Sequence, residues 1–257
     1  MGFSFASVIL SYFLVAGGTF FAALLGGKIG IHNEYAGYVI MAGGAFLGGI
    51  IAARASRGST IVEPAIGSIA MVGSLVVLGL AVSDSGARNA ILLPANMKAI
   101  ILTAGASAFG GIAGASLSEK LFGESTSSSV PWILYVTLAA FGAGVMGTIF
   151  GGVLGKGEAG PLLGVLALCC LLVGGATGAS AQTRPLGASL LGGVLGVGGF
   201  FFLAVLLFVG VLGKADRGAG DVPSDVYAGL AIMAAGAGIV TLLGSLIGWL
   251  TVGRKQT

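Results

Sequence analysis

The spacing of charges along the chain constrains its fold more than any other feature. The 12 basic and nine acidic residues leave eight long stretches that contain no ionisable Asp, Glu, Lys, Arg or His. A helix needs about 20 mostly apolar residues to cross the hydrocarbon core of a bilayer, and each stretch is of that size. We therefore predict eight membrane spans, in residues 1–27, 35–53, 64–83, 99–118, 125–155, 159–183, 185–213 and 226–253.

The spans are predicted to be helices. Membrane-spanning strands are about 10 residues long and alternate apolar with polar residues, whereas runs such as 203–209 are apolar throughout. Proline is best tolerated in the first turn of a helix, and one proline lies near the start of each of spans three to eight. These are Pro64, Pro94, Pro131, Pro161, Pro185 and Pro223. The predicted fold is an all-α, polytopic integral membrane protein.

Composition excludes several classes of protein. Only 8% of the residues are charged, against about a quarter in a soluble domain, so a water-soluble globule is excluded. The basic residues form no stripe that could follow a phosphate backbone, so no nucleic-acid partner is predicted. The two cysteines, Cys169 and Cys170, are adjacent within an apolar run, which supports neither a disulfide framework nor a metal site. We predict no cofactor and no metal.

Short sequence patterns in the first half of the chain recur 121 to 126 residues later. Gly26-Gly27, at the end of the first span, correspond to Gly151-Gly152 at the end of the fifth. These internal repeats predict two four-helix halves, residues 1–121 and 122–257. Because four is an even number, both halves would have the same orientation and be related by an axis along the membrane normal.

Glycine is the most informative residue for packing, since the chain holds 49 of them. Burying apolar side chains gains little inside lipid, so helices associate where small residues four apart let two backbones approach. We predict close helix packing at such repeats on most of the spans. The predicted packing residues are Gly44, Gly48, Gly110, Gly114, Gly147, Gly151, Gly155, Gly174, Gly178, Gly192, Gly196, Gly244 and Gly248.

The loops carry a weak signal for orientation. Basic residues divide six to six between the two membrane surfaces, so their count does not decide the topology. The Arg54 and Arg57 loop together with the Arg254-Lys255 tail favours both termini in the cytoplasm, in a bacterial cytoplasmic membrane. The first apolar run has the length of a full span and no basic segment before it, so we expect it to be retained as a helix.

Charged residues at the span ends are the candidates for contacts outside the chain. Glu63 and Arg54 face each other across a short loop, and this pair is our first choice for contact with a partner subunit or a lipid headgroup. Glu34 and Glu158, which occupy corresponding places in the two halves, are further candidates. Each carboxylate also suits a helix N-terminus, where the helix dipole favours negative charge. No catalytic residue is predicted, because the single histidine, His32, lies outside every span.

Two functional hypotheses follow. The first is a non-catalytic structural or accessory subunit of a membrane complex, with the bilayer, other membrane subunits or copies of itself as partners. The alternative is a passive channel or carrier for a neutral or lipid-like solute, with its path between the two halves. The absence of ionisable residues within the spans disfavours ion-coupled transport. A transport path would be lined by hydroxyls such as those of Ser68, Thr103, Ser107, Thr148 and Ser189.

Overall fold

A computed structural model describes residues 4–29, 35–55, 61–122, 132–156, 158–180, 186–215 and 224–252. This part of the chain forms nine α-helices and no strand. The helices are α1 (Phe5–Ile29), α2 (Ala36–Ala55), α3 (Val62–Val82), α4 (Ser85–Ile91), α5 (Pro94–Phe122), α6 (Trp132–Leu154), α7 (Ala159–Ser180), α8 (Leu186–Ala215) and α9 (Ser224–Thr251).

Eight of these helices are long and apolar enough to cross a membrane, which confirms the eight predicted spans. The shortest of them, α2, has 20 residues and is therefore about 30 Å long, the thickness of the hydrocarbon core. By length and composition they are the helices of a multi-pass membrane protein. Three prolines within the described residues, Pro64, Pro94 and Pro161, lie in the first turns of α3, α5 and α7 as predicted.

The short helix α4, between the third and fourth spans, was not predicted. Its seven residues show no apolar periodicity, and none of them is buried. The Asp84 side chain caps the helix by accepting a hydrogen bond from the Ala87 N–H at 2.8 Å. Such a cap stabilises a helix by about 1 kcal/mol, which allows an exposed segment of this length to be ordered.

The fourth span is longer than its charge-free window. Helix α5 starts at Pro94 and ends at Phe122, so it includes Lys98, Glu119 and Lys120. Long charged side chains near the ends of a membrane helix can keep their charged groups in water while their stems pack on apolar surface. A window that stops at the first charge therefore underestimates the helix.

The eight long helices form two rings of four. In the first half, neighbours in the ring follow the order α1, α2, α5, α3; in the second half the order is α6, α7, α9, α8. The halves meet where α1 packs against α6 and α7. The largest buried cluster follows this junction and includes Phe13 and Val15 of α1 and Ala139 and Met146 of α6.

The outer faces of the helices are apolar as well. Phe109 of α5 is 71% exposed and Ile232 of α9 is 74% exposed, and exposed leucines and valines occur on every long helix. A soluble monomer rarely exposes apolar patches of this extent. This surface suits hydrocarbon as its solvent.

Candidate functional site

The junction between the halves is built on two glycines that sequence reasoning did not select. A side chain at Gly142 of α6 would overlap the Phe13 carbonyl oxygen of α1 and lie 2.7 Å from its carbon. A Cβ at Gly17 of α1 would lie 3.4 Å from the Leu138 carbonyl oxygen of α6. The two backbones therefore touch, and a cavity lined by Gly17 and Leu138 lies beside the contact. We call this contact the Gly17–Gly142 junction.

Aromatic side chains close one side of the Gly17–Gly142 junction. Phe21 of α1 and Phe141 of α6 are stacked, with ring centroids 4.7 Å apart. Phe200 of α8 meets Phe141 edge to face at 5.5 Å. Such pairs contribute about 0.5–1.5 kcal/mol each beyond the burial of their area. The aromatic cluster joins α1 of the first half to two helices of the second.

All thirteen glycines of the predicted packing set are buried. At each of them, a Cβ would meet atoms of a neighbouring helix or of the next segment of chain closer than ordinary van der Waals distance. The α7–α9 interface shows the pattern most clearly, because Gly174 lies against the Thr241 carbonyl and Gly178 against the Ser245 carbonyl. Substituting these glycines would force the helices apart.

The five hydroxyls considered as path-lining residues are placed on four different helices. Ser68, Ser107 and Ser189 have no exposed surface. Ser68 donates a hydrogen bond to the Pro64 carbonyl at 2.7 Å, and Thr103 donates one to the Ala99 carbonyl at 2.8 Å, so both bond to their own helices. Hydroxyls bonded back to the preceding turn are satisfied without a ligand.

Two cavities within the described residues are apolar. One, of about 200 Å³, lies between α1, α2 and α6 beside the Gly17–Gly142 junction and is lined by residues such as Leu14, Phe21 and Leu138. The other, of about 240 Å³, lies between α7 and α9. None of the five hydroxyls lines either cavity. Both cavities offer space to hydrocarbon rather than to ions.

The Glu63 side chain makes a contact within the chain. Its side chain is only 6% exposed, and its Oε1 accepts a hydrogen bond from the Ser4 N–H at 3.4 Å. Ser4 immediately precedes α1, so this carboxylate lies at the positive end of that helix dipole as well as in the first turn of α3. The contact ties the beginnings of α1 and α3 together.

The other rim candidates differ in exposure. Arg54 is half-buried in the last turn of α2. Glu158 is exposed just before α7, and its N–H donates a hydrogen bond to the Gly155 carbonyl at 2.8 Å. Glu34 lies outside the described residues. The structure therefore places Arg54 and Glu158 on different helix ends, at opposite membrane surfaces.

One interhelical hydrogen bond was missed by the sequence analysis. Tyr12 Oη and Ser74 Oγ are 2.9 Å apart and join α1 to α3. Because the Ser74 hydroxyl donates to the Met71 carbonyl at 2.8 Å, Tyr12 is the donor to Ser74. Cys169 and Cys170 are free thiols in the middle of α7.

The described residues bring no three His, Cys, Asp or Glu side chains together as metal ligands would require. Comparison of the chain with protein-family models, with curated proteins and with solved structures finds no match.

Proposed function

We propose that this chain is a non-catalytic integral membrane protein that serves as a structural or accessory subunit of a membrane complex. The observation that carries the proposal is the Gly17–Gly142 junction, where α1 and α6 touch through their backbones. A channel or carrier with its path between the halves would need space at this place. Rigid glycine packing there favours a scaffold.

Two of the buried hydroxyls support the same proposal. Thr177 and Thr241 each donate to a carbonyl of their own helix at 2.8 Å, and neither has exposed surface. Their placement suits helix packing better than solute binding.

We further propose that the halves, residues 1–121 and 122–257, are repeats of one four-helix unit. A Cβ at Gly67 would lie 2.8 Å from the Ser11 Cβ, and one at Gly192 would lie 2.7 Å from the Val136 Cβ. Gly192 lies 125 residues after Gly67, and Val136 lies 125 residues after Ser11. The same shift of 125 residues relates Gly17 to Gly142.

A second interface repeats in the same manner. Gly110 of α5 lies against the Ala42 carbonyl of α2, and Gly244 of α9 lies against the Leu171 carbonyl of α7. Gly244 lies 134 residues after Gly110, and Leu171 lies 129 residues after Ala42. The same two shifts relate a further pair of contacts, Gly114 with Phe46 and Gly248 with Gly175.

An experimental structure in a bilayer tests the repeat. The four long helices of the first half should superpose on those of the second by rotation about an axis parallel to α1 and α6. A different order of helices within one ring would contradict it.

The subunit proposal places its external contacts at the rim. Arg54 is the first candidate for a partner or a headgroup, with Glu158 and Glu34 next; Glu63 would have to exchange its bond to Ser4 for an external one. We also propose that both termini are cytoplasmic in a bacterial cytoplasmic membrane, because of the basic residues beside Arg54 and at the C-terminal end.

Affinity purification from the native membrane in mild detergent tests the proposed function. We expect unrelated membrane proteins to co-purify at a constant ratio, and Arg54→Glu to lower that ratio. Lys98→Glu, which reverses a charge at the opposite membrane surface, is the matched control. A stable monomer or homo-oligomer that moves a fluorescent lipid-like solute between vesicle leaflets would contradict the proposal.

That last outcome would favour the second candidate function, a carrier for a lipid-like solute. The observation in its favour is the apolar cavity of about 200 Å³ between α1, α2 and α6. Its lining by Leu47, Ile51 and Leu138 suits an apolar solute. A bulky substitution of a residue that lines this cavity would then block transport without dissociating any complex. Gly18 is not suitable for this test, because a side chain there would overlap the backbone of Gly44.

A further inference from the structure

Helices α7 and α9 form a cleft along the N-terminal half of α7 and the middle of α9. They run in the same direction and touch in their C-terminal halves, where Gly174 lies against Thr241 and Gly178 against Ser245. Towards their N-terminal ends they leave the cavity of about 240 Å³ between residues 163–170 and 232–240. The cleft therefore lies on the side of the membrane at which both helices begin.

The cleft joins the outer surface to the core of the second half. Its inner wall includes Leu166, Cys170 and Ala237, which belong to a buried cluster shared by all four helices of that half. At its outer edge, Leu163 is 47% exposed and Ile232 is 74% exposed. At 1.5 Å per residue, the cleft extends from about 6 to about 16 Å along α7, within hydrocarbon depth.

At three lining positions the second half carries a smaller side chain than the first half. Under the shifts of 129 and 134 that relate the two halves, the cleft residues Ala167, Cys170 and Gly236 correspond to Tyr38, Met41 and Leu102. Met41 packs against the large buried cluster at the junction of the halves, and Tyr38 is half-buried.

We propose that the α7–α9 cleft binds one acyl chain of a zwitterionic bilayer phospholipid. An empty void deprives its lining atoms of dispersion contacts, and an apolar cavity of about 150 Å³ is already large enough to bind benzene. The cleft is larger, apolar and open to the lipid phase, so a flexible hydrocarbon chain fits its shape and its chemistry.

Charge at the same membrane surface suits the headgroup of such a lipid. Lys156 and Glu158 lie in the turn that leads into α7, and both are exposed. The Lys156 ammonium complements the phosphate that every phospholipid carries. The Glu158 carboxylate, two residues further along, complements the ammonium of phosphatidylethanolamine and disfavours a headgroup with net negative charge. This proposal does not depend on the proposed subunit role.

Photolabelling of the full chain in vesicles tests the proposal. The vesicles contain phosphatidylethanolamine and phosphatidylglycerol, with a trace of phosphatidylethanolamine that carries a diazirine on one acyl chain. We expect labelled peptides to be concentrated at residues 163–170 and 232–240 and depleted on the lipid-facing surface of α5. A phosphatidylglycerol probe should label the cleft less.

Gly236→Leu should abolish labelling in the cleft. No atom lies within 4 Å of the position of a Gly236 Cβ, so leucine can enter the cleft without moving the backbone. Gly105→Leu on α5, where the space is also open, is the matched control and should leave the cleft labelling unchanged. Ala167→Leu fills the cleft from the other helix.

Three results would overturn the proposal. The first is equal labelling of the cleft and of α5 in the wild-type protein, a comparison that requires no variant to fold. The second is unchanged labelling in a folded Gly236→Leu protein. The third is cross-linking of the cleft to a second copy of the chain instead of to lipid.

Discussion

Gly142 and Gly17 belong to the same helix contact, but only Gly17 has space for a methyl group. Alanine substitutions at the two positions should therefore have opposite effects on the stability of the protein. A Cβ at Gly142 would lie 2.7 Å from the Phe13 carbonyl carbon and closer still to its oxygen. At Gly17 the nearest atom, the Leu138 carbonyl oxygen, is 3.4 Å away, which is ordinary contact. Alanine fits at Gly17 and not at Gly142.

The size of the difference follows from the geometry. Relieving the overlap at Gly142 requires α1 and α6 to separate by about 1 Å, and a gap of 0.5–1 Å forfeits roughly a quarter to a half of the attraction between facing atoms. Overpacking of this kind costs about 1–3 kcal/mol. Alanine recovers about 1 kcal/mol of helix propensity relative to glycine at either site.

We therefore expect Gly142→Ala to lower the free energy of unfolding by up to about 2 kcal/mol and Gly17→Ala to raise it by up to about 1 kcal/mol. Titration with sodium dodecyl sulfate in mixed micelles, followed by the fluorescence of Trp132 and Trp249, measures both. Equal effects of the two substitutions would refute the close approach of α1 and α6 at this junction.

Three further predictions concern other contacts. Gly110→Leu or Gly114→Leu should destabilise the protein by about 1–2 kcal/mol or more, because each side chain would meet a carbonyl of α2; unchanged thermal stability in detergent would contradict this. A double-mutant cycle with Tyr12→Phe and Ser74→Ala should give a coupling energy of about 0.6–1.7 kcal/mol, and additive effects would show that the hydrogen bond contributes nothing. Lys156 has a φ of 50°, in the left-handed region, so Lys156→Gly should stabilise the protein by about 1 kcal/mol; a destabilised variant would count against the strain.

The spans could be predicted because hydrocarbon admits few charges. The window 64–83, for example, nearly coincides with α3, which runs over Val62–Val82. The order of the helices within each ring could not be predicted. Each of the eight long helices is largely apolar around its circumference, so hydrophobic periodicity does not indicate which face meets a neighbour.

The Gly17–Gly142 junction escaped sequence reasoning for a related reason. Repeats of glycine four apart identify pairs on one helix, whereas this contact takes a single glycine from each of two helices. The 125-residue shift between Gly26 and Gly151 also relates Gly17 to Gly142, and that signal could have found the pair.

At the rim, the sequence indicated a carboxylate near a helix start but not its partner. Glu63 accepts its hydrogen bond from Ser4, 59 residues earlier in the chain. Contacts between residues so far apart in sequence depend on the packing of α1 against α3. A single sequence does not specify that packing.

The most direct test of the eight-span topology is accessibility labelling of single cysteines with an impermeant maleimide in intact cells or sealed vesicles. In a background with Cys169→Ala and Cys170→Ala, cysteines at Ser85 and Lys156 should react from one side of the membrane. Cysteines at Leu121 and Val252 should react only from the other side. Labelling of Leu121 and Lys156 from the same side would contradict the traversal of the membrane by α6 and, with it, the eight-helix account.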